Sequence, residues 1–205
     1  MNLTIISSSQ RPNSESKRVG AYMLKEITKK IAAAGGAASH IDLLDLGLPF
    51  FDDTLETNTA QQSLWNPISE KLAASDGFVF ITPEWNGMAS PMLKNFLMFV
   101  GKELANKPVL LTAVSSGMGG GAYPIAEIRG HTAKNSFACY IPNHVIIRNV
   151  NQCLVDETLK PENKSDSVAR ERIDFSLDTL IAYTKALKTM RSTEQTEWTR
   201  FDTGM

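Results

Sequence analysis

Gly77-Phe78-Val79-Phe80-Ile81-Thr82 is the stretch of sequence that decides the fold. Its apolar side chains are consecutive, so a strand built from it must be covered on both faces, whereas a strand with one face in water alternates apolar and polar residues. Val109-Leu110-Leu111-Thr112-Ala113-Val114 shows the same pattern. Strands of this kind are typical of a parallel sheet that has helices on both sides. The two segments therefore predict the centre of an α/β sheet.

Shorter apolar segments and longer helical segments alternate around this pair of strands. Val19, Met23, Ile27 and Ile31 recur every four residues, which predicts the buried face of a helix that ends at Gly35-Gly36. Further strands are predicted over residues 3–6, over 39–44 and within 137–148. Further helices are predicted over residues 61–74, 91–102, 123–134 and 165–190. This alternation predicts a doubly wound α/β fold.

No stretch rich in Pro, Gly or Ser divides the 205 residues, and the sequence has no internal repeat. We therefore predict one domain, residues 1–190, followed by a short tail, residues 191–205. The tail carries Trp198 and Phe201, which we expect to dock either on the domain or on a partner subunit.

The composition argues against several classes of protein. Lys plus Arg total 21 and Asp plus Glu total 22, a net charge of −1 without any polybasic run, so nucleic acid is not an expected partner. The chain has no run of about 18 apolar residues and no typical secretory signal, so we expect no membrane association and a cytoplasmic location. Cys139 and Cys153 form no CxxC motif, and the three histidines have no metal-binding spacing, so neither disulfides nor a metal site is expected.

Three unusual loops follow predicted strands, at the edge of the sheet where doubly wound proteins bind their ligands. Loop 1 (residues 7–16) offers the hydroxyls of Ser9, Ser14 and Ser16, and Arg11 adds a charge that matches a phosphate. The same serines also suit a simple helix cap, so the loop by itself fits either a phosphate site or a capped turn.

Loop 2 and loop 3 suit a flat ligand. In loop 2 (residues 82–95) the chain turns at Asn86-Gly87, and Trp85 forms either an aromatic wall for a ligand or a core residue at a strand end. Loop 3 (residues 115–122) has four glycines, which either let the backbone approach a ligand closely or make a flexible surface loop. Loop 3 also satisfies G-x-G-x-x-A, but no acidic residue ends a strand about 20 positions later, as a Rossmann fingerprint requires.

Taken together, the loops resemble those of the NADPH-dependent FMN reductase family, within the flavodoxin-like superfamily. Residues 8–16 resemble its phosphate loop, G-S-x-R-x-x-S-x-N. Pro83-Glu84-Trp85-Asn86 with Leu93-Lys94-Asn95 resembles its P-E-Y-N…L-K-N segment, with Trp85 in place of the usual Tyr. Loop 3 resembles its third flavin contact. The resemblance spans residues 3–133.

The resemblance implies a fold, a cofactor and a reaction. The fold is a flavodoxin-like five-stranded parallel sheet of order 2-1-3-4-5 with helices on both faces. The cofactor is FMN, the reductant is NADPH or NADH, and the partner is a small-molecule electron acceptor such as a quinone, free flavin, azo compound or metal oxyanion. No catalytic side chain is expected, because the flavin itself carries the electrons. The family commonly forms homodimers or homotetramers.

The resemblance assigns three groups of residues to FMN. The residues expected to bind its phosphate are Ser9, Arg11, Ser14 and Ser16. The residues expected at the edge of its ring are Pro83, Glu84, Trp85, Asn86 and Gly87. The residues expected on its far side are Ser115, Gly117 and Gly119.

Other functions stay open at the level of the sequence. A flavodoxin-like electron carrier or redox-responsive FMN-binding module would share the fold, but carriers usually have a strongly acidic surface, which a net charge of −1 does not provide. A nucleotide-binding Rossmann domain would need a ribose-binding acid that the sequence lacks. The acceptor and the preference between NADPH and NADH are not decided, and Arg129, Arg148 and Lys94 are the candidates for contact with a 2′-phosphate.

Overall fold

The structure, a computed structural model, describes residues 1–155, 164–193 and 200. The strands of its sheet are β1 (Asn2–Ser7), β2 (Ala37–Asp42), β3 (Gly77–Trp85), β4 (Met88–Ala89), β5 (Pro108–Val114) and β6 (Cys139–Ile147). The parallel strands have the order β2-β1-β3-β5-β6, and β4 pairs antiparallel with the end of β3. The predicted doubly wound sheet is confirmed. Its predicted order, 2-1-3-4-5, is corrected by the extra strand β4, because a strand of two residues shows no periodic pattern.

The helices cover both faces of the sheet. They are α1 (Glu15–Ala32), α2 (Thr59–Ala73), α3 (Pro91–Phe99), α4 (Ala122–His131), α5 (Ala133–Ser136) and α6 (Lys164–Ser192). The helix predicted over residues 123–134 is in fact two helices, α4 and α5, which meet at Thr132. The helix predicted over residues 91–102 ends earlier, at Phe99.

The predicted tail is described only in part. Helix α6 continues to Ser192, two residues beyond the predicted boundary at 190. Trp198 and Phe201 lie outside the described residues. The division into residues 1–190 and 191–205 therefore stays a prediction.

Each face of the sheet has its own apolar core, and β3 contributes to both. Val79 and Ile81 belong to the cluster that α1 and α6 cover. Phe78 and Phe80 belong to the opposite cluster, under α2, α3 and α4. All four side chains are fully buried. This two-sided burial explains why the decisive stretch is apolar at successive positions.

The strand order brings the three loops to one edge of the sheet. The chain runs from β1 outward to β2 and then returns to β3 on the other side of β1, so the order reverses between β1 and β3. Strand β5 lies next to β3. The loops that follow β1, β3 and β5 therefore meet at the switch point, where such sheets bind ligands.

No helix in the described part of the chain combines the length and the apolar character needed to cross a membrane. The described residues also contain no group of three His, Cys, Asp or Glu side chains placed to hold a metal ion.

Candidate functional site

A cavity of about 300 Å³ lies where the three loops meet. Its lining residues are Ser9, Arg11, Asn13, Ser14, Glu15, Ser16, Pro83, Glu84, Trp85, Val114, Ser116 and Val150. The structure thus brings together the four residues predicted in loop 1 and three of those predicted in loop 2. The predicted residues that do not belong to this lining are Asn86, Gly87, Ser115, Gly117 and Gly119.

The serines of loop 1 have different partners. Ser8 Oγ donates to a backbone carbonyl of β3 at 2.8 Å and anchors the loop to the sheet. Ser9 Oγ accepts from Arg11 N at 3.3 Å. Ser14 is the N-cap of α1, and its Oγ accepts from Lys17 N at 3.1 Å. The capping interpretation is therefore correct for Ser14, but a hydroxyl that accepts one hydrogen bond still has its own proton to donate.

Ser16 is the serine that the cap does not use. Its side chain is 1% exposed, and its Oγ has no hydrogen-bond partner among the described residues. Leaving a buried hydroxyl unsatisfied costs about 1–3 kcal/mol, so folded proteins rarely keep one without a reason. Ser16 lies in the first turn of α1, where backbone amides and the helix dipole favour an anion. The combination indicates a site for a negatively charged oxygen group.

Arg11 and Trp85 form another wall of the cavity. The guanidinium carbon of Arg11 lies 5.3 Å from the centre of the Trp85 ring. Trp85 is half-buried and belongs to neither core cluster, so its interpretation as a core residue is wrong. Glu15, also in the lining, pairs with Arg18, which partly balances its negative charge beside the helix N-terminus.

Loop 2 forms a two-residue hairpin. Asn86 and Gly87 have φ values of 51° and 73°, as in the type I′ turns that join antiparallel strands, and both are exposed at the tip. The carboxylate of Glu127, on α4, accepts from Ala89 N at 2.7 Å and from Lys94 Nζ at 3.0 Å. Burial alone would raise the pKa of Glu127, but these two donors hold it below its usual value. The ionised Glu127 therefore fixes the hairpin to α4.

Glu84 joins loop 2 to loop 3. Its carboxylate accepts from Gly121 N, at the N-terminus of α4, where a negative charge is favourable. This carboxylate caps the helix and holds the two loops together, and Glu84 also lines the cavity. The expected place of Glu84 at the edge of a flavin ring concerns its backbone and stays a prediction.

The glycines that loop 3 needs are not those that were singled out from the sequence. Gly121 has a φ of 99°, and a Cβ there would collide with Ile146. A Cβ on Gly120 would collide with Ser115. Gly117, by contrast, has open space around it, as does the other predicted glycine of loop 3. Positive φ and close packing are properties of the folded backbone, and counting glycines does not reveal them.

Other residues of the site come from parts of the sequence that carry no motif. Val150, in a short turn after β6, donates its N–H to Ser115 O at 3.1 Å. Arg18 donates to the carbonyls of Val150 and Leu154 at 2.7 and 2.6 Å. The two contacts of Arg18 join residues that are more than 130 positions apart in the sequence, so no local pattern predicts them. In loop 1 itself, the buried Oε1 of Gln10 also lacks a partner among the described residues, and this residue was not predicted.

Behind loop 1, a polar cluster fixes the ends of β1 and β2. Ser7 Oγ donates to Asp42 Oδ1 at 3.0 Å and lies 2.9 Å from His40 Nε2. Burial lowers the pKa of His40. This shift favours the neutral form of the imidazole at pH 7.

Known proteins are similar to this chain in sequence and in fold. Residues 1–152 match the family model of the NADPH-dependent FMN reductases. The chain belongs to this family. It is 45% identical over 94 residues to the NAD(P)H-dependent FMN reductase of Schizosaccharomyces pombe, a match that covers 43% of this chain and 46% of that protein. It is 28% identical over 113 residues to the quinone reductase of Escherichia coli strain K12, which covers 52% of this chain and 60% of that protein.

The chain spans about half the length of these curated relatives, 46% and 60%. An oxidoreductase of Corynebacterium diphtheriae has a similar structure, with a TM-score of 0.70, 18% identity, and coverage of 90% of this chain and 97% of that chain. This likeness supports the flavodoxin-like fold.

The backbone of loop 3 leads to a prediction about stability. Gly121→Ala should lower the free energy of unfolding by about 1–3 kcal/mol, because alanine is strained at positive φ and its Cβ meets Ile146. Gly117→Ala is the matched control and should have little effect, since its Cβ enters open space. Urea denaturation of both variants measures the difference. Equal stability of the two would mean that Gly121 does not hold the strained conformation.

Proposed function

We propose that this protein binds FMN in the cavity between loops 1, 2 and 3, and that it transfers hydride from NADPH or NADH through FMN to a small-molecule acceptor. The observation that carries the proposal is the buried hydroxyl of Ser16, which lacks a partner among the described residues at a helix N-terminus. Membership of the NADPH-dependent FMN reductase family supports the same cofactor.

The residues of loop 1 suit the phosphate of FMN. Ser16 and Ser14 both have a hydroxyl proton to donate, and the first turn of α1 lines the same cavity with Glu15 and Ser16. Arg11 has no carboxylate partner within the described ranges, so its charge is available to the phosphate. In the proposal these groups bind the phosphate through charge-assisted hydrogen bonds. Ser9 Oγ accepts from the N–H of Arg11 and so stabilises the backbone of loop 1.

The remaining walls suit the flavin ring. Trp85 offers an aromatic surface beside the cavity, with Pro83 next to it in the lining. Loop 3 exposes its backbone at Gly117 and Gly119, where a flat ligand can approach without meeting a side chain. FMN, when bound, supplies the capacity to accept and pass on a hydride, so the protein needs to orient and shield the ring rather than to provide an acid or base.

The proposal extends to the electron acceptor, the oligomeric state and the cellular location of the protein. The quinone reductase of E. coli supports a quinone as the acceptor, with free flavin, azo compounds and metal oxyanions as further candidates. We include a homodimer or homotetramer, supported by the exposed apolar side chains of Met88, Met118 and Tyr123 on loop 2, loop 3 and α4. We also include a cytoplasmic location, which fits a small enzyme that uses NADPH or NADH.

The first test concerns Ser16. Ser16→Ala should weaken FMN binding about 10- to 100-fold, because a hydrogen bond to a charged group contributes about 1.5–3 kcal/mol. The free energy of unfolding of the apoprotein should not fall, because the change removes a buried hydroxyl that has no partner in the described structure. Flavin fluorescence titration and urea denaturation measure the two quantities.

Two further variants provide a control and an independent test of the same site. Ser63→Ala, on the exposed side of α2, is the matched control and should leave FMN affinity unchanged. Ser14→Asp should keep the helix cap but place a carboxylate against the phosphate, at a cost on the order of 4 kcal/mol for charges about 4 Å apart, or about a thousandfold in affinity. Unchanged FMN affinity in Ser16→Ala and Ser14→Asp would place the phosphate elsewhere.

The second test separates an enzyme from an electron carrier. Under anaerobic conditions NADPH or NADH alone should bleach the yellow absorbance of the FMN-loaded protein. Turnover with a quinone should follow ping-pong kinetics, because donor and acceptor use the same open face of the flavin in turn. If FMN binds but neither nicotinamide bleaches it, the protein is a carrier or binding module and the proposed reaction is wrong.

A further inference from the structure

A second cavity, of about 550 Å³, lies between β6, at the edge of the sheet, and α6. We call it the β6 groove. Arg148 lines it just beyond the end of β6, while Val168, Arg172 and Phe175 line it from α6. These three α6 residues are spaced i, i+4 and i+7, so they share one face of the helix. Phe175 is 59% exposed, which leaves an aromatic surface open in the groove.

The groove carries two arginines without counter-charges. Arg172 has no ion pair or hydrogen bond within the described part of the chain, and no acidic side chain belongs to the groove lining. Arg148 donates through Nε to Gly120 O at 3.1 Å, and its terminal nitrogens have no partner among the described residues. Asp174, close to Arg172 on α6, is paired with Lys30 at 2.6 Å. Guanidinium groups that have no carboxylate partner are suited to bind a phosphate, which they contact through paired N–H donors.

Loop 3 connects the β6 groove to the candidate flavin site. A cavity lined by Met118, in loop 3, shares Ile146, Arg148 and Val168 with the groove. Ser116, which lines the flavin cavity, is four residues before the Gly120 carbonyl that Arg148 contacts. Four residues span at most about 14 Å, so a dinucleotide whose nicotinamide lies over the flavin can reach the groove with its other half.

We propose that the β6 groove binds the adenosine half of NADPH, with Arg172 and Arg148 on its 2′-phosphate and Phe175 against its adenine. The inference rests on the proposed function, because it assigns the second half of the reductant to this groove. Arginine accommodates the 2′-phosphate in other NADP-binding proteins, and adenine stacks on aromatic side chains. The protein accordingly prefers NADPH to NADH.

The other two candidates for the 2′-phosphate are committed elsewhere. Arg129 donates to the backbone carbonyls of Ile141 and Pro142 at 2.9 and 3.3 Å. Lys94 pairs with Glu127 at 3.0 Å. Of the three cations considered from the sequence, Arg148 is therefore the one that the structure leaves available, and Arg172 joins it.

The direct test is binding of adenosine 2′,5′-bisphosphate, with 5′-AMP as the probe that lacks the 2′-phosphate. Calorimetry on the FMN-loaded protein, and on the protein as purified, should show tighter binding of the bisphosphate. Arg172→Gln should weaken the bisphosphate about 10- to 100-fold and leave 5′-AMP unchanged, because it removes charge-assisted bonds to one phosphate only. Lys185→Gln removes one charge from the exposed surface of α6 outside the groove and should change neither affinity.

Steady-state kinetics provide the second readout. In Arg172→Gln, kcat/KM for NADPH should fall by the same factor, while kcat/KM for NADH stays constant. Equal binding of the two nucleotides by the unmodified protein, or an equal loss of both in Arg172→Gln, would overturn the assignment of the 2′-phosphate. Normal turnover with NADH but no effect of Arg172→Gln would refute this inference alone. Failure of both nicotinamides to reduce FMN would refute the proposed function, and the calorimetry would still decide whether the groove recognises a 2′-phosphate.

Discussion

Val79 and Ile81 pack into one apolar cluster while Phe78 and Phe80 pack into the other, so β3 is stable only when helices cover both faces of the sheet. Each of these side chains contributes about 1.5–3 kcal/mol when it is fully buried. The parallel order that follows puts the carboxyl end of β3 between those of β1 and β5. The position of the cavity is thus a consequence of how β3 is buried.

The cavity walls are held by bonds within the protein. Ser8 fastens loop 1 to β3, Glu84 fastens loop 2 to the N-terminus of α4, and Glu127 fastens the β4 hairpin to the same helix. A site whose loops are already fixed loses less conformational entropy when a ligand binds. Ser16 differs from these anchoring residues, because its buried hydroxyl, like Oε1 of Gln10, lacks a partner among the described residues. The fixed loops and the unsatisfied hydroxyl of Ser16 together favour the binding of an anion in the cavity.

Much of this arrangement could be predicted from the sequence because it depends on local patterns. The apolar segments fixed the central strands, and the polar and glycine-rich loops after them pointed to one edge of the sheet. Ser14 shows the limit of such patterns, since the same residue satisfies a helix cap and remains able to donate to a phosphate. The Asn86-Gly87 turn was expected, but the β4 strand that follows was not, because its two residues are recognisable only by their pairing with β3.

What the sequence did not reveal depends on contacts between distant segments. Gly121 requires glycine because of its φ and because Ile146, 25 residues later, fills the space beside it. Val150 reaches the cavity from the turn after β6, and Arg172 lines the same groove as Arg148 only because α6 packs beside that strand. None of these residues belongs to a motif with fixed spacing. Their roles follow from the tertiary structure alone.

Comparing the binding of FMN with that of riboflavin tests the proposal that the first turn of α1 and loop 1 recognise the phosphate of FMN. Riboflavin has the same ring and ribityl chain but no phosphate, so the difference in affinity isolates that one group. Two charge-assisted hydrogen bonds of about 1.5–3 kcal/mol each predict that FMN binds at least about 100-fold more tightly. Equal affinities for FMN and riboflavin would show that this loop does not bind the phosphate.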